Sequence, residues 1–133
     1  MVAGAPAERD LAERVGGINL AGRTTLRQLA ALIEGAELVI ANDSGPMHIA
    51  AALNRPLVAL FGPTNPVRTG PYGRQDAVLR LNLPCSPCYS RACTHQSCLQ
   101  WLTIAPVLEL AQRQMELHGM GRSAWTSRLP SYS

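Results

Sequence analysis

The sequence predicts an α/β fold: a parallel β-sheet with helices on both faces. Three observations carry this expectation. The apolar runs "ELVIA" (37–41) and "PLVALFG" (56–62) are continuous rather than alternating, as in strands buried on both faces. The stretches around them carry helical spacing. Strand and helix alternate along the chain, the order of parallel crossovers.

In chain order, Met1–Gly4 reads as a strand remnant. "AERDLAERVGG" follows as a helix, with Leu11 and Val15 spaced to share one face. "INLAG" (Ile18–Gly22) is a short apolar run ending at Gly, a strand candidate. In "TTLRQLAALIEGA", Leu26, Leu29, Ala30 and Ile33 follow the spacing of an amphipathic helix. Thr25 and Gln28 are placed for a capping box and Gly35 for a C-terminal stop. "ELVIA" is then a buried strand, "PMHIAAALN" a helix and "PLVALFG" a second buried strand. "AVLRLN" predicts one more short strand. "TIAPVLELAQRQMEL" predicts the last helix, capped by Thr103 with Pro106 in its first turn. Residues 119–133 have no periodicity and predict a loose tail, which leaves 1–118 as one partial domain. The chain opens at what reads as a later strand of such a sheet, as part of a larger domain does.

At 133 residues the chain is one domain at most. All twelve basic residues are Arg, spread along the chain, and the net charge is only +3. That distribution speaks for a solvated surface and against nucleic-acid binding. No apolar run reaches the ~20 residues of a membrane-spanning helix. The N-terminus turns acidic too early for a signal peptide, so the expected compartment is the cytoplasm. The four Cys are then expected as reduced thiols or metal ligands rather than disulfides.

The chemistry concentrates in "NDSGPMHIAAAL" (Asn42–Leu53). Ligands of open parallel sheets bind beyond the carboxyl ends of the strands, where Asn42, Asp43, Ser44 and Gly45 fall. Pro46 suits the first helical turn because it has no N–H to lose. The free N–H groups at that helix start, with the positive end of its dipole, make an anion site. Gly45 admits a phosphate close to the backbone. His48, one turn in, can donate to the same phosphate. Asp43 disfavours a phosphate but accepts hydrogen bonds from the hydroxyls of a sugar or ribose. A ligand carrying both hydroxyls and phosphates is therefore expected. The loop "GPTNP" (Gly62–Pro66) leaves the neighbouring strand at the same sheet edge and completes one cleft. The plainer alternative is an ordinary strand–helix turn in which Ser44 caps, His48 packs and Asp43 is solvated.

The run "NDSGPMHIAAALNRPLVALFGPTNPVRTGPYG" resembles glycosyltransferase family 9, the heptosyltransferases of lipopolysaccharide core assembly. "AGAPAERDLAERV" and "LAGRTTLRQLAALIEGAELVIA" resemble its C-terminal domain. The resemblance covers roughly Val2 to Val107. It implies the GT-B architecture, two Rossmann-like domains facing a cleft, of which this chain is an incomplete C-terminal half. It implies ADP-heptose as the nucleotide-sugar donor and a lipopolysaccharide core acceptor. It also implies that no metal is required for the chemistry, and a cytoplasmic site, up to the inner face of the inner membrane. By position, Asp43 would contact the heptose hydroxyls. Ser44, Gly45 and His48, with Pro46 and Met47 in the same stretch, would hold the diphosphate. Glu8 aligns with an acid near the donor nucleoside and Thr24 with a position beside the adenosine. Glu8 reads equally as a first-turn helix acid, and Thr24 as a helix cap. No catalytic residue is expected in this chain. The base belongs to the family's N-terminal domain, which the resemblance does not cover, nor does it cover the donor domain's first strand and helix with their basic phosphate contact. Arg23 and Arg68 do not stand at that position.

"CSPCYSRACTHQSC" sets Cys85, Cys88, Cys93 and Cys98 in a C-x2-C-x4-C-x4-C pattern within a loop spanning 85–98, with His95 as a substitute ligand. The spacing suits four thiolates around a structural zinc, and equally reduced packing thiols. Two other functions therefore stand beside the heptosyltransferase fragment. One is a zinc-stabilised binding module that uses the Cys loop. The other is an inactive remnant whose open sheet edge invites pairing.

Overall fold

A computed structural model describes residues 1–119; the expected tail, Gly119 apart, lies outside the described residues. Three parallel strands form the sheet in the order β1–β2–β3: β1 (Val39–Asn42), β2 (Leu57–Phe61) and β3 (Val78–Arg80). Val39 stands opposite Leu57 and Ala59 opposite Val78. The helices are α1 (Arg9–Val15), α2 (Leu26–Glu34), α3 (Gly45–Ala52), α4 (Pro66–Thr69), α5 (Ser97–Gln100) and α6 (Ile104–Leu117). Short 3-10 turns at Pro6–Glu8 and Gln75–Ala77 precede α1 and β3.

β2 is the centre of the sheet, and its sequence explains why. Leu57, Ala59 and Phe61 join Ile33 of α2 and Met47 and Ala50 of α3 in one buried cluster. Val58 points to the other face yet is also fully buried, and α6 packs against β2 and β3. A strand covered on both sides has no polar face to show, hence the unbroken apolar run. The small side chains of α3 let it lie close on β1 and β2.

The capping box at α2 forms as expected: Thr25 Oγ1 accepts from the Gln28 N–H at 3.2 Å, and Gln28 Oε1 accepts from the Thr25 N–H at 2.9 Å. Thr25→Ala is expected to cost about 1 kcal/mol in urea unfolding, the usual worth of such a cap. Gly35 stops α2 as expected, at φ −83° and so without a left-handed conformation. Thr103 sits at the N-cap of α6, but its hydroxyl makes no capping bond.

Met1–Gly4 and Ile18–Gly22, both expected as strands, pair with each other in parallel. Val2 N–H donates to Ile18 O at 2.8 Å, Leu20 N–H to Val2 O at 2.8 Å and Gly22 N–H to Gly4 O at 2.9 Å. They form an isolated bridge, Val2–Asn19, and do not join the main sheet. Gly22 closes this unit at φ +69°, with Pro6 Cα 2.8 Å from where a Cβ would be. Only glycine fits both constraints.

Candidate functional site

The carboxyl end of β1 leads through Asp43 and Ser44 into α3. Ser44 has extended backbone geometry and occupies the N-cap, but its hydroxyl does not cap. It donates instead to the Asn42 carbonyl at 3.2 Å. No side chain therefore satisfies the first N–H groups of α3, and Pro46 removes one of them by its chemistry. A Cβ built on Gly45 would meet nothing within 4 Å. The helix start thus opens on free space, with its positive dipole end directed there.

Asp43 is half-buried and oriented by the neighbouring loop. Thr69 Oγ1, at the end of α4, donates to Asp43 Oδ2 at 3.1 Å. This bond joins the segment after β1 to the segment after β2, so the two loops form one rim, as their sequences suggested. Asn65 holds α4 in place by accepting from the Val67 N–H at 2.9 Å. Thr69 was not singled out from sequence. Its signal is the Asn-Pro pair ahead of it, a helix start four residues upstream. In the same loop the Thr64 hydroxyl is buried without a hydrogen-bond partner among the described residues.

His48 lies exposed on the first turn of α3. Met47 requires a correction. Its side chain is wholly buried in the core and its N–H donates to Ser44 O at 3.2 Å, so it supports the helix from behind rather than facing a ligand. A cavity of about 890 Å³ runs beside β1, and Glu8, Thr24, Ser44 and Pro46 all line it. Glu8 serves the local fold as well: its Oε2 accepts from the Ala5 N–H at 2.6 Å. Thr24 is half-buried and is not the helix cap, because Thr25 takes that position.

The Cys loop lies apart from this cavity. Cys85, Cys88, Cys93, Cys98 and His95 line a second cavity of about 440 Å³. All four thiols are free; Cys85 and Cys88 are exposed. Among the described residues no three His, Cys, Asp or Glu side chains are gathered as a metal ion requires. Cys93 Sγ accepts from the Gln96 N–H at 3.4 Å, and His95 Nδ1 lies 2.9 Å from Ser97 Oγ. Cys98 also packs on the backbone of Gly62, where a Cβ would come within 3.2 Å of its sulfur. Packing thiols account for these contacts; a zinc would need the loop to close further.

Among the described residues no helix is long and apolar enough to cross a membrane. The profile of glycosyltransferase family 9 (heptosyltransferase) matches residues 3–99. Lipopolysaccharide heptosyltransferase 1 of Pseudomonas aeruginosa is 43% identical over 97 residues, covering 70% of this chain and 27% of that protein. Lipopolysaccharide heptosyltransferase 2 of Escherichia coli is 54% identical over 63 residues, 47% of this chain and 18% of its own length. In structure, the ADP-heptose LPS heptosyltransferase II of E. coli superposes with a TM-score of 0.70 at 32% identity, over 88% of this chain and 36% of that one. The chain thus spans about a third or less of the length of these relatives.

Proposed function

The chain belongs to glycosyltransferase family 9, and from that premise we propose that it is the donor-binding portion of a heptosyltransferase, holding ADP-heptose for transfer to a lipopolysaccharide core acceptor. One observation carries the reading. The start of α3 is uncapped and open beside Gly45, at the rim of a cavity that also takes in Glu8 and Thr24. The diphosphate sits on the N–H groups of α3, the nucleoside extends toward Glu8 and Thr24, and Asp43 accepts from the sugar hydroxyls.

In the complete enzyme an acceptor hydroxyl displaces ADP from the anomeric carbon of the donor. Negative charge grows on the leaving diphosphate as that bond breaks. The α3 N–H groups and His48 meet this charge with donors fixed in advance, which is how such sites lower a barrier. The residues matched to the family, 3–99, serve the donor side of this step; the base that takes the acceptor's proton is not among these donor-site residues. In a full-length relative, replacing the histidine equivalent to His48 with Ala is expected to lower kcat by on the order of 100-fold, the usual loss for one such donor. Donor affinity should fall much less. An unchanged kcat would remove His48 from the reaction.

Thermal unfolding with and without nucleotide tests the binding reading. ADP at about a hundred times its dissociation constant is expected to stabilise the chain by about 2.7 kcal/mol. ADP-heptose should stabilise it further, and Asp43→Asn should remove that excess while leaving the ADP effect. If neither ligand raises Tm, the reading is wrong for this chain.

A further inference from the structure

The Cys loop lies outside the donor cavity, and both of its ends are fixed on the same two residues. Gly62 and Pro63 follow β2, whose last residue, Phe61, is fully buried. The N–H groups of Cys88 and Tyr89 both donate to Pro63 O, at 3.0 and 2.9 Å, and Ser86 Oγ donates to Gly62 O at 2.7 Å. From the far end of the loop Cys98 comes down on Gly62, with its sulfur 3.2 Å from where a Gly62 Cβ would be. The Cys85–Cys88 turn and Cys98 are thus anchored on one strand end, and all four cysteines line the cavity of about 440 Å³.

Packing accounts for the contacts of Cys93 and Cys98 but not for the exposure of the set. Free cysteine is among the residue types most often buried, yet Cys85 and Cys88 are exposed and Cys93 and Cys98 only partly covered. Of residues 85–98 only Ser86 and Ser97 are buried, and both are polar, so the loop has no apolar core of its own. Its backbone is nevertheless sharply turned. Tyr89 and Gln96 have φ of +55° and +43°, a left-handed conformation that disfavours any side chain. The first turns the chain directly after the Cys-x-x-Cys pair. Beside the second, the Gln96 N–H points back to Cys93 Sγ at 3.4 Å. An N–H aimed at sulfur is worth more to a thiolate than to a thiol.

We infer that this loop is a structural zinc site whose four tetrahedral ligands are the thiolates of Cys85, Cys88, Cys93 and Cys98. Each thiol gives up its proton to solvent as its sulfur binds the ion. The resulting unit carries net negative charge, and Arg91 lines the cavity while no carboxylate does. His95 stays outside the ligand set: its Nδ1 accepts from the Ser97 N–H at 3.4 Å and lies 2.9 Å from Ser97 Oγ. Among the described residues the sulfurs are not gathered to coordination distance, so the ion closes the loop across the cavity, drawing Cys93 onto the anchored cysteines. Four sulfur ligands select zinc over magnesium or calcium. The ion supplies the folding energy that the missing apolar core does not, and takes no part in sugar transfer.

The full chain, purified under reducing conditions without chelator, is expected to hold one zinc per molecule by metal analysis. Titration of the stripped protein with cobalt(II) should give a thiolate-to-cobalt charge-transfer band and the intense visible bands of tetrahedral cobalt. Cys93→Ser should weaken zinc binding by at least the roughly 10- to 100-fold that loss of a mere outer-sphere partner costs, and His95→Asn should leave both affinity and spectrum unchanged. Stripping the zinc should speed amide exchange at Cys88 and Gln96 and leave β1 and β2 unaltered, which shows that the core folds without the ion. Far less than one zinc per chain after reconstitution overturns the inference. So does the pale spectrum of octahedral cobalt, an iron-loaded protein, or a Cys93→Ser variant with native affinity. Loss of binding in His95→Asn overturns the four-thiolate assignment. No readout involves nucleotide, so failure here is separate from failure of the donor-binding reading.

Discussion

Gly45→Asp is expected to abolish stabilisation by ADP while making the free protein more stable. The two effects have opposite signs because they draw on the same feature. An acid in the first turn of α3 interacts favourably with the helix dipole, by about 0.3–1 kcal/mol. Removing a glycine from a helical position adds about 0.5–1 kcal/mol, less at a terminus. Nothing lies within 4 Å of the new Cβ, and Gly45 does not have a positive φ, so neither clash nor strain offsets these gains. Yet the carboxylate then occupies the space, and holds the sign of charge, that a diphosphate needs. The ADP-dependent increment of about 2.7 kcal/mol at a hundredfold excess should fall to near zero. Two melting curves for each protein, with and without ADP, decide it. A variant that gains stability and keeps its ADP response would place the nucleotide elsewhere.

Much of this architecture was legible in the sequence because its strongest signals are local. The apolar runs of β1 and β2, the spacing of Leu26, Leu29 and Ile33 and the Thr25–Gln28 pair each specify an element without help from the rest of the chain. The short helices α4 and α5 were missed because one turn is too brief to show periodicity; their positions depend on tertiary contacts such as Thr69 to Asp43. Met47 was misplaced for a related reason. Neighbouring residues of a helix point about 100° apart, so a stretch next to a ligand must send some members into the core. Ile18–Gly22 was readable as extended chain, but its failure to join the sheet was not. Strand propensity says nothing about whether a partner is present on the other side.

Gln114→Leu is expected to cost about 3 kcal/mol at neutral pH, although Leu is close to Gln in size and prefers the interior. Gln114 has no exposed surface, and its amide bridges two charged groups. Its Oε1 accepts from Arg74 Nη2, and its Nε2 donates to Asp76 Oδ2 at 2.7 Å and to the Asp76 carbonyl at 3.2 Å. Arg74 in turn donates to Arg55 O at 3.1 Å and pairs with Asp76 at 3.4 Å. This network ties α6 to the segments ahead of β2 and β3. Leu fills the space but leaves a nearly buried guanidinium and a carboxylate each short of a partner. Hydrogen bonds to charged groups are worth about 1.5–3 kcal/mol each. Asp76 is partly exposed, so water recovers part of its share. The pH dependence separates this mechanism from simple packing. Burial pushes the Asp76 carboxyl upward, but the Gln114 hydrogen bond and the Arg74 charge outweigh it and hold the group below its ordinary 3.8. A carboxyl lowered by folding stabilises the native state above its unfolded pKa and loses that contribution as pH falls through the folded value. The native protein should therefore lose stability on acidification below about pH 4 more steeply than the Leu variant, whose Asp76 has lost its strongest lowering contact. Urea unfolding at pH 7 and pH 3 should show the gap between the two proteins narrowing. A gap of the same size at both would mean that Gln114 acts by shape alone.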